Sequence, residues 1–101
     1  MLKKVKITVI QRSVNKELAE QHRREIPPIC SVFEEGQEFI VDSFEKPANF
    51  CDWAWMDIQR VIISFLFDGN LSHFSSNPNE FVMCCTDAYR PVSFKIEKIN
   101  D

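Results

Sequence analysis

The stretch from Phe81 to Ile99 places the strongest constraint on the fold, because it contains two β-strand patterns joined by a turn. Apolar and polar residues alternate from Val92 to Glu97, which is typical of a strand with one buried and one solvated face. The run from Phe81 to Cys85 is apolar throughout, which predicts a strand covered on both faces. The two runs together predict a β-hairpin.

The residues between the two strands predict how the turn is held. Asp87 favours a turn because its carboxylate accepts hydrogen bonds from the backbone two residues on, and Pro91 fixes φ where the return strand begins. We expect Arg90 to pair with Asp87 across the turn, with binding of an anionic ligand as the alternative. Cys84 and Cys85 are adjacent on a strand and should point to opposite faces, so at most one of them belongs to any one site.

The first half of the chain predicts two further strands and a short helix. A first strand is expected over 3–11, where apolar residues alternate with polar ones. A short helix is expected over 16–24, capped by Asn15 and ended by the two prolines at 27–28. A second alternating strand is expected over 37–44.

The region 49–68 predicts the longest helix of the chain. Asn49 or Asp52 can cap its start, and Gly69 can end it. Its apolar residues recur at helical spacing, at Ala54, Ile58, Val61, Ile62 and Phe65. We therefore expect a single α+β domain over 1–101, in which one long helix covers a small, mostly antiparallel sheet of about four strands, with a short N-terminal helix.

Composition and charge exclude several classes of protein. Apolar residues make up 45% of the chain and include nine Phe, which predicts a packed core rather than disorder. The net charge is −3 and the basic residues form no concentrated patch, which argues against nucleic acid as the main partner. No apolar run approaches the roughly 20 residues of a membrane span, and no cleavage site follows the basic start. The expected compartment is therefore the cytoplasm, where thiols stay reduced.

Several motifs resemble those of a family of small uncharacterised proteins from anaerobic bacteria and archaea. The motifs are GQEFIVD at 36–42, CDWAW at 51–55 with DIQR at 57–60, and CCTD at 84–87 followed by RPV and FKIEKI. The resemblance covers nearly the whole chain and implies a shared fold and a cytoplasmic location, but no activity and no catalytic residues. Ala88 stands where these relatives usually have Gly. If that position has a positive φ, the alanine costs roughly 1 kcal/mol.

The four cysteines offer the clearest chemistry in the sequence. Cys51 lies at the predicted start of the long helix, where free N–H groups and the helix dipole favour a thiolate. It is either a redox-active nucleophile or metal ligand, or a small apolar residue packed under the helix. Cys30, Cys84 or Cys85, with His73, could complete a Zn²⁺ or iron–sulfur site, although CxxC pairs are absent. One hypothesis is thus a thiol-dependent redox or metal-binding protein centred on Cys51.

The two tryptophans suggest a different hypothesis, a non-catalytic binding or accessory domain. Trp53 and Trp55 point about 200° apart on a helix, so one belongs in the core and the other can line a pocket near Cys51. The surface around them and the 84–90 hairpin, with Arg90, would bind an unknown small molecule or protein. No Ser/His/Asp order and no phosphate-binding glycine loop occurs, so no catalytic residue or cofactor is assigned. A homodimer through an exposed strand edge is a further hypothesis.

Overall fold

The computed structural model describes residues 2–99 and has an α+β fold, with one four-stranded antiparallel sheet and two helices. The elements in chain order are β1 (Lys4–Arg12), α1 (Lys16–His22), β2 (Glu38–Val41), α2 (Asp52–Leu66), β3 (Glu80–Cys84) and β4 (Val92–Ile99). Within residues 2–99, no helix combines the length and the apolar character needed to cross a membrane.

The sheet has β1 and β4 at its centre, in the order β2-β1-β4-β3, and every neighbouring pair is antiparallel. Ile7 pairs with Ile96 and Val9 with Phe94, so the apolar side chains of the two central strands share one face. Met83 of β3 also pairs with Phe94, which confirms the predicted β-hairpin. This apolar face is the floor of the core.

The core lies between that face of the sheet and α2. The five residues of the predicted helical stripe are all buried, namely Ala54, Ile58, Val61, Ile62 and Phe65. Phe33 and Phe50 come from the loops, and their ring centroids lie 5.2 and 5.7 Å from that of Phe94. Aromatic rings in such edge-on and tilted contacts add favourable quadrupole interactions to the area they bury.

Both ends of α2 differ from the prediction, because neither Asn49 nor Asp52 is the N-cap residue. The helix has 15 residues and begins at Asp52, with Cys51 in the N-cap position. It is followed by Asp68, whose φ of 63° is the left-handed conformation that usually ends a helix at glycine. Gly69 comes one residue later and contributes in another way, because a Cβ there would lie 2.7 Å from the carbonyl oxygen of Ser64.

The short helix α1 ends earlier than predicted and is not capped by Asn15. It stops at His22, and Arg24 already has a left-handed φ of 70°. Asn15 occupies the N-cap position without a capping bond; its Nδ2 instead donates to the carbonyl of Ala88. Its backbone N–H donates to the carbonyl of Tyr89 at 2.9 Å. The start of α1 is therefore fixed against the loop that joins β3 to β4.

The predictions for β2 and β3 need correction. β2 is shorter than the predicted 37–44. β3 is an edge strand of the sheet, in which Val82 and Cys84 are exposed whereas Phe81 and Met83 pack against the core. The prediction of a strand covered on both faces is wrong, because an apolar run does not reveal that the strand lies at an edge with one face in solvent.

Candidate functional site

A cavity of about 700 Å³ opens between α1, the start of α2 and the β3–β4 loop. Leu18 and His22 of α1 form one side of it. The segment that precedes β2 contributes Cys30, Val32 and Phe33. Most of the surface that lines the cavity is apolar, as is usual for a small-molecule site.

The opposite side of the cavity contains most of the residues singled out from the sequence. Cys51 and Trp53 line it at the start of α2, and Cys85 and Arg90 line it from the β3–β4 loop. With Cys30 they form one site from segments that are far apart in the sequence. Hydrogen bonds within and between these segments hold their positions.

Trp55 and Cys84 do not line the cavity. Trp55 is only 9% exposed and packs in the core, with its ring 5.9 Å from that of Phe50. Trp53 is 67% exposed, so the prediction that the two tryptophans face different environments is confirmed. Cys84 is exposed, whereas Cys85 is half-buried at the cavity. The two neighbouring thiols thus have separate surroundings, as the alternation of a strand predicts.

The three cavity thiols are free and do not form a metal centre. The backbone N–H of Val92 donates to Sγ of Cys85 at 3.4 Å, and the side chain of Cys51 makes no capping bond. Within residues 2–99, no group of three or more His, Cys, Asp and Glu lies close enough together to hold a metal ion. His73 is exposed and contacts the ring of Phe74. The geometry therefore gives no support to the predicted zinc or iron–sulfur site.

Asp87 fixes the loop that forms one wall of the cavity. Its Oδ1 accepts the backbone N–H groups of Tyr89 and Arg90 at 3.0 and 3.1 Å, and its Oδ2 accepts Nε of Arg90 at 3.1 Å. Partial burial raises the pKa of Asp87, but the two backbone N–H groups and the Arg90 guanidinium outweigh it and hold the pKa below its ordinary value. The predicted pairing of Asp87 with Arg90 is confirmed.

A hydrogen-bond network at Thr86 joins the β3–β4 loop to α2. The indole N–H of Trp53 donates to Oγ1 of Thr86 at 2.7 Å. The carboxylate of Asp57 accepts the backbone N–H of Thr86 at 2.8 Å and its hydroxyl at 3.1 Å. The sequence interpretation assigned no role to Thr86 or Asp57. Their presence in the CCTD and DIQR blocks was the one available signal.

Arg12 holds the cavity wall formed by residues 30–33, and no role was assigned to it from the sequence. Its NH1 donates to the carbonyls of Cys30 and Phe33, both at 2.8 Å, and its Nε donates to Glu35 at 2.9 Å. The backbone N–H of Glu35 itself lowers the pKa of that carboxyl, desolvation opposes this, and Arg12 lowers it further. An arginine at the end of an alternating strand gives no indication of such distant partners.

Ala88 does not have the positive φ on which the possible strain depended. The non-glycine residues with a positive φ in the described part of the chain are Arg24, Asn49 and Asp68. Ala88 is not among them, so the condition for a cost of roughly 1 kcal/mol is not met. Its carbonyl instead accepts the side chain of Asn15.

Fold and site together define a small α+β domain with a mainly apolar, thiol-lined cavity. No protein-family model, curated protein or solved structure matches this chain. The resemblance to a family of small uncharacterised proteins stays a prediction, and function is inferred from the cavity itself.

Proposed function

We propose that this protein is a non-catalytic binding domain that holds a small, uncharged and largely apolar molecule in the cavity. The observation that carries the proposal is a cavity of about 700 Å³ with a mainly apolar lining. The candidate residues from the sequence that line it are Cys30, Cys51, Trp53, Cys85 and Arg90. Trp53 and Tyr89 supply aromatic surface at its wall. Aromatic walls with a few polar groups are typical of sites for planar organic ligands.

The charges at the cavity favour an uncharged ligand. Arg90 and Asp87 both line it, and they neutralise each other through their ion pair. Asp87 is also occupied by two backbone N–H groups. An anion would have to compete with Asp87 for the guanidinium, at a loss of hydrogen bonds that fix the loop. The polar groups at the wall therefore suit hydrogen bonding to a neutral molecule.

A neutral dye tests the proposal with a matched pair of variants. Val32 lines the cavity and Val82 lies on the outer face of β3, and both are about half exposed, so tryptophan can be accommodated at either place. We expect Nile red to bind in a 1:1 ratio, and V32W to weaken binding about tenfold, which corresponds to about 1.4 kcal/mol. V82W should leave the affinity unchanged. Equal binding by the two variants, or no saturable binding at all, would contradict the proposal.

Thiol-dependent redox chemistry is the second candidate, because Cys30, Cys51 and Cys85 line the same cavity. The rates at which a disulfide reagent modifies the four thiols separate the two candidates. A binding domain predicts that exposed Cys84 reacts first and that C84S removes the fast phase, since access governs an unactivated thiol. A fast phase that survives in C84S and disappears in C51S would favour redox chemistry instead.

Bound metal is tested separately. Native mass spectrometry of anaerobically purified protein detects any added mass that disappears with a chelator or acid.

The cytoplasm is the location we propose from the sequence, together with membership of the family that the CDWAW and CCTD motifs resemble. A homodimer through the edge strands β2 or β3 is tested by sedimentation.

A further inference from the structure

The solvent-facing side of α2 carries an exposed apolar stripe, which contacts the rest of the fold at its two ends, where Trp53 donates to Thr86 and the ring of Phe67 lies 5.8 Å from that of Phe44. Its residues are Trp53, Met56, Arg60 and Ile63, together with the C-cap residue Phe67, and we call this set the α2 seam. Met56 is 74% and Phe67 66% exposed, and Ile63 is also exposed. The opposite side of the same helix is already buried in the core. A helix that is apolar on both sides has a second surface to bury.

The spacing of the α2 seam indicates what kind of surface would cover it. Its positions follow one another at intervals of three, four, three and four residues. This is the spacing of the a and d positions of a heptad, the seam along which two helices pack side by side. The apolar stripe of a helix that faces a protein core is broader than such a seam. The buried side of α2 is an example, because seven of its residues face the core. The narrow seam therefore fits another α-helix.

One charge lies in the middle of the α2 seam. Arg60 is exposed, and no described residue forms an ion pair or side-chain hydrogen bond with it. The acidic groups that flank the seam already have partners, since Asp52 pairs with Lys46 and Asp57 binds Thr86. The guanidinium of Arg60 therefore lies between apolar neighbours and has no carboxylate of residues 2–99 paired with it. A charged residue at one a position of a helix pair selects the partner that neutralises it.

A second copy of this chain does not meet that requirement. The seam contains no acidic residue, so no pairing of two seams places a carboxylate opposite Arg60, and a parallel pairing in register places one guanidinium opposite the other. The whole chain also has a net charge of −3, which opposes self-association at long range. Like charges placed opposite each other at an interface disfavour that partner.

We propose that the α2 seam docks an amphipathic helix of another protein, one whose apolar a/d stripe carries an acidic residue opposite Arg60. The seam shares Trp53 with the cavity wall and otherwise lies outside it, and the interaction goes beyond the ligand-binding function proposed above. The apolar residues supply the buried area, and the Arg60–carboxylate pair sets the register. The seam is short, so the complex is weak and transient.

Synthetic helical peptides test the proposal. Three peptides of about three heptads share an a/d leucine stripe and differ only at the central a position, which is Glu, Gln or Lys. Titrations followed by NMR of the ¹⁵N-labelled protein measure affinity and locate the contact. We expect the Glu peptide to bind about tenfold more tightly than the Lys peptide, with shifts along α2. R60E should reverse that order.

The controls separate charge, seam and fold. K95E reverses a half-buried charge on the sheet, where Lys95 pairs with Glu97 at 3.5 Å, and should preserve the order of the three peptides in the folded variant. M56D should weaken all three peptides, and circular dichroism confirms that each variant folds. Equal affinities of the three peptides, or no binding, would overturn the proposal. So would a homodimer that M56D dissociates, or binding to neutral phosphatidylcholine vesicles that M56D abolishes while peptides fail to bind.

Discussion

At the scale of single residues, Thr86 joins two elements through one hydroxyl. The hydroxyl accepts the indole N–H of Trp53 and donates to the carboxylate of Asp57. T86V keeps the shape of the side chain and removes both bonds. We expect it to lower the free energy of unfolding by about 1 kcal/mol, the net contribution of an ordinary hydrogen bond, and to shift the Trp53 indole N–H resonance. Urea denaturation and NMR measure the two effects.

T86S is the matched control for that experiment. It keeps the hydroxyl and loses only the methyl group of a residue that is exposed, so the Trp53 resonance should stay close to that of the wild type. If T86S and T86V lose the same stability and shift the indole equally, the methyl contact and not the hydroxyl holds the loop against α2.

Asp87 makes the conformation of the β3–β4 loop depend on pH. Its pKa in the folded protein lies below the ordinary value of 3.8, chiefly because N–H groups of Arg90 and Tyr89 outweigh the effect of burial. Such a group stabilises the fold above the unfolded pKa, and the contribution is lost as the pH falls through the lower folded pKa. We expect the amide resonances of Tyr89 and Arg90 to titrate together, with a midpoint below pH 3.8.

D87N provides the reference for the titration. Asparagine can accept the same two backbone N–H groups through its Oδ1 but carries no charge to titrate. The two amides in D87N should therefore stay constant across that pH range. A wild-type midpoint above the ordinary value would mean that burial dominates and that the hydrogen bonds are weaker than their distances indicate.

At the scale of elements, the end of α2 depends on Gly69 through close approach and not through φ. A Cβ at Gly69 would lie 2.3 Å from Oγ and 2.7 Å from the carbonyl oxygen of Ser64. Gly69 also donates its N–H to that carbonyl at 2.7 Å. We expect G69A to lower the free energy of unfolding by about 1 to 3 kcal/mol, because the helix terminus must move. Thermal or urea unfolding measures the loss.

Asp68 is the internal comparison for that position. D68G relieves a left-handed φ of 63°, a gain of about 1 kcal/mol. It also removes the ion pair with Lys98, whose side chain is only 13% exposed, which is a loss of about 1 kcal/mol. The net change should be close to zero. A large loss in D68G together with a neutral G69A would show that the ion pair, and not the tight approach, ends the helix.

The elements also show how far sequence patterns reach. The α2 stripe, the β3–β4 hairpin and the Asp87–Arg90 pair were predictable because each depends on residues close together in the chain. The two-faced burial of β3 was predicted wrongly, since an edge position is a property of the whole sheet. Asn15 was assigned to a helix cap, but bonds to the distant Ala88 loop compete for the same side chain.

At the scale of the whole molecule, the cavity brings together segments that no local pattern connects. Cys30, Cys51 and Cys85 were recognised singly, but their shared cavity depends on the course of residues 23–37, which contain no helix or strand. Arg12 and the buried ring of Phe33 hold that segment in place. Loop positions of this kind follow from tertiary contacts, so a single sequence does not reveal them.

Arg12 should therefore couple the stability of the fold to the integrity of the cavity. R12M keeps the apolar stem and removes the bonds to the carbonyls of Cys30 and Phe33 and to Glu35. The Arg12 side chain is only 20% exposed, so the carbonyls are not fully resolvated. We expect a loss of about 2 to 3 kcal/mol in the free energy of unfolding, with weaker binding of Nile red to the folded protein.

R23M is the matched control, because it makes the same replacement where the arginine is exposed. Arg23 forms a long ion pair with Glu25, with 3.9 Å between the guanidinium nitrogen and the carboxylate oxygen. Such an exposed contact contributes about 0 to 1 kcal/mol. R23M should keep both stability and dye affinity near the wild-type values. If R12M is destabilised while its folded form binds the dye normally, other contacts position residues 30–33. The cavity would then be independent of Arg12, and the buried ring of Phe33 would be among the contacts that hold its wall.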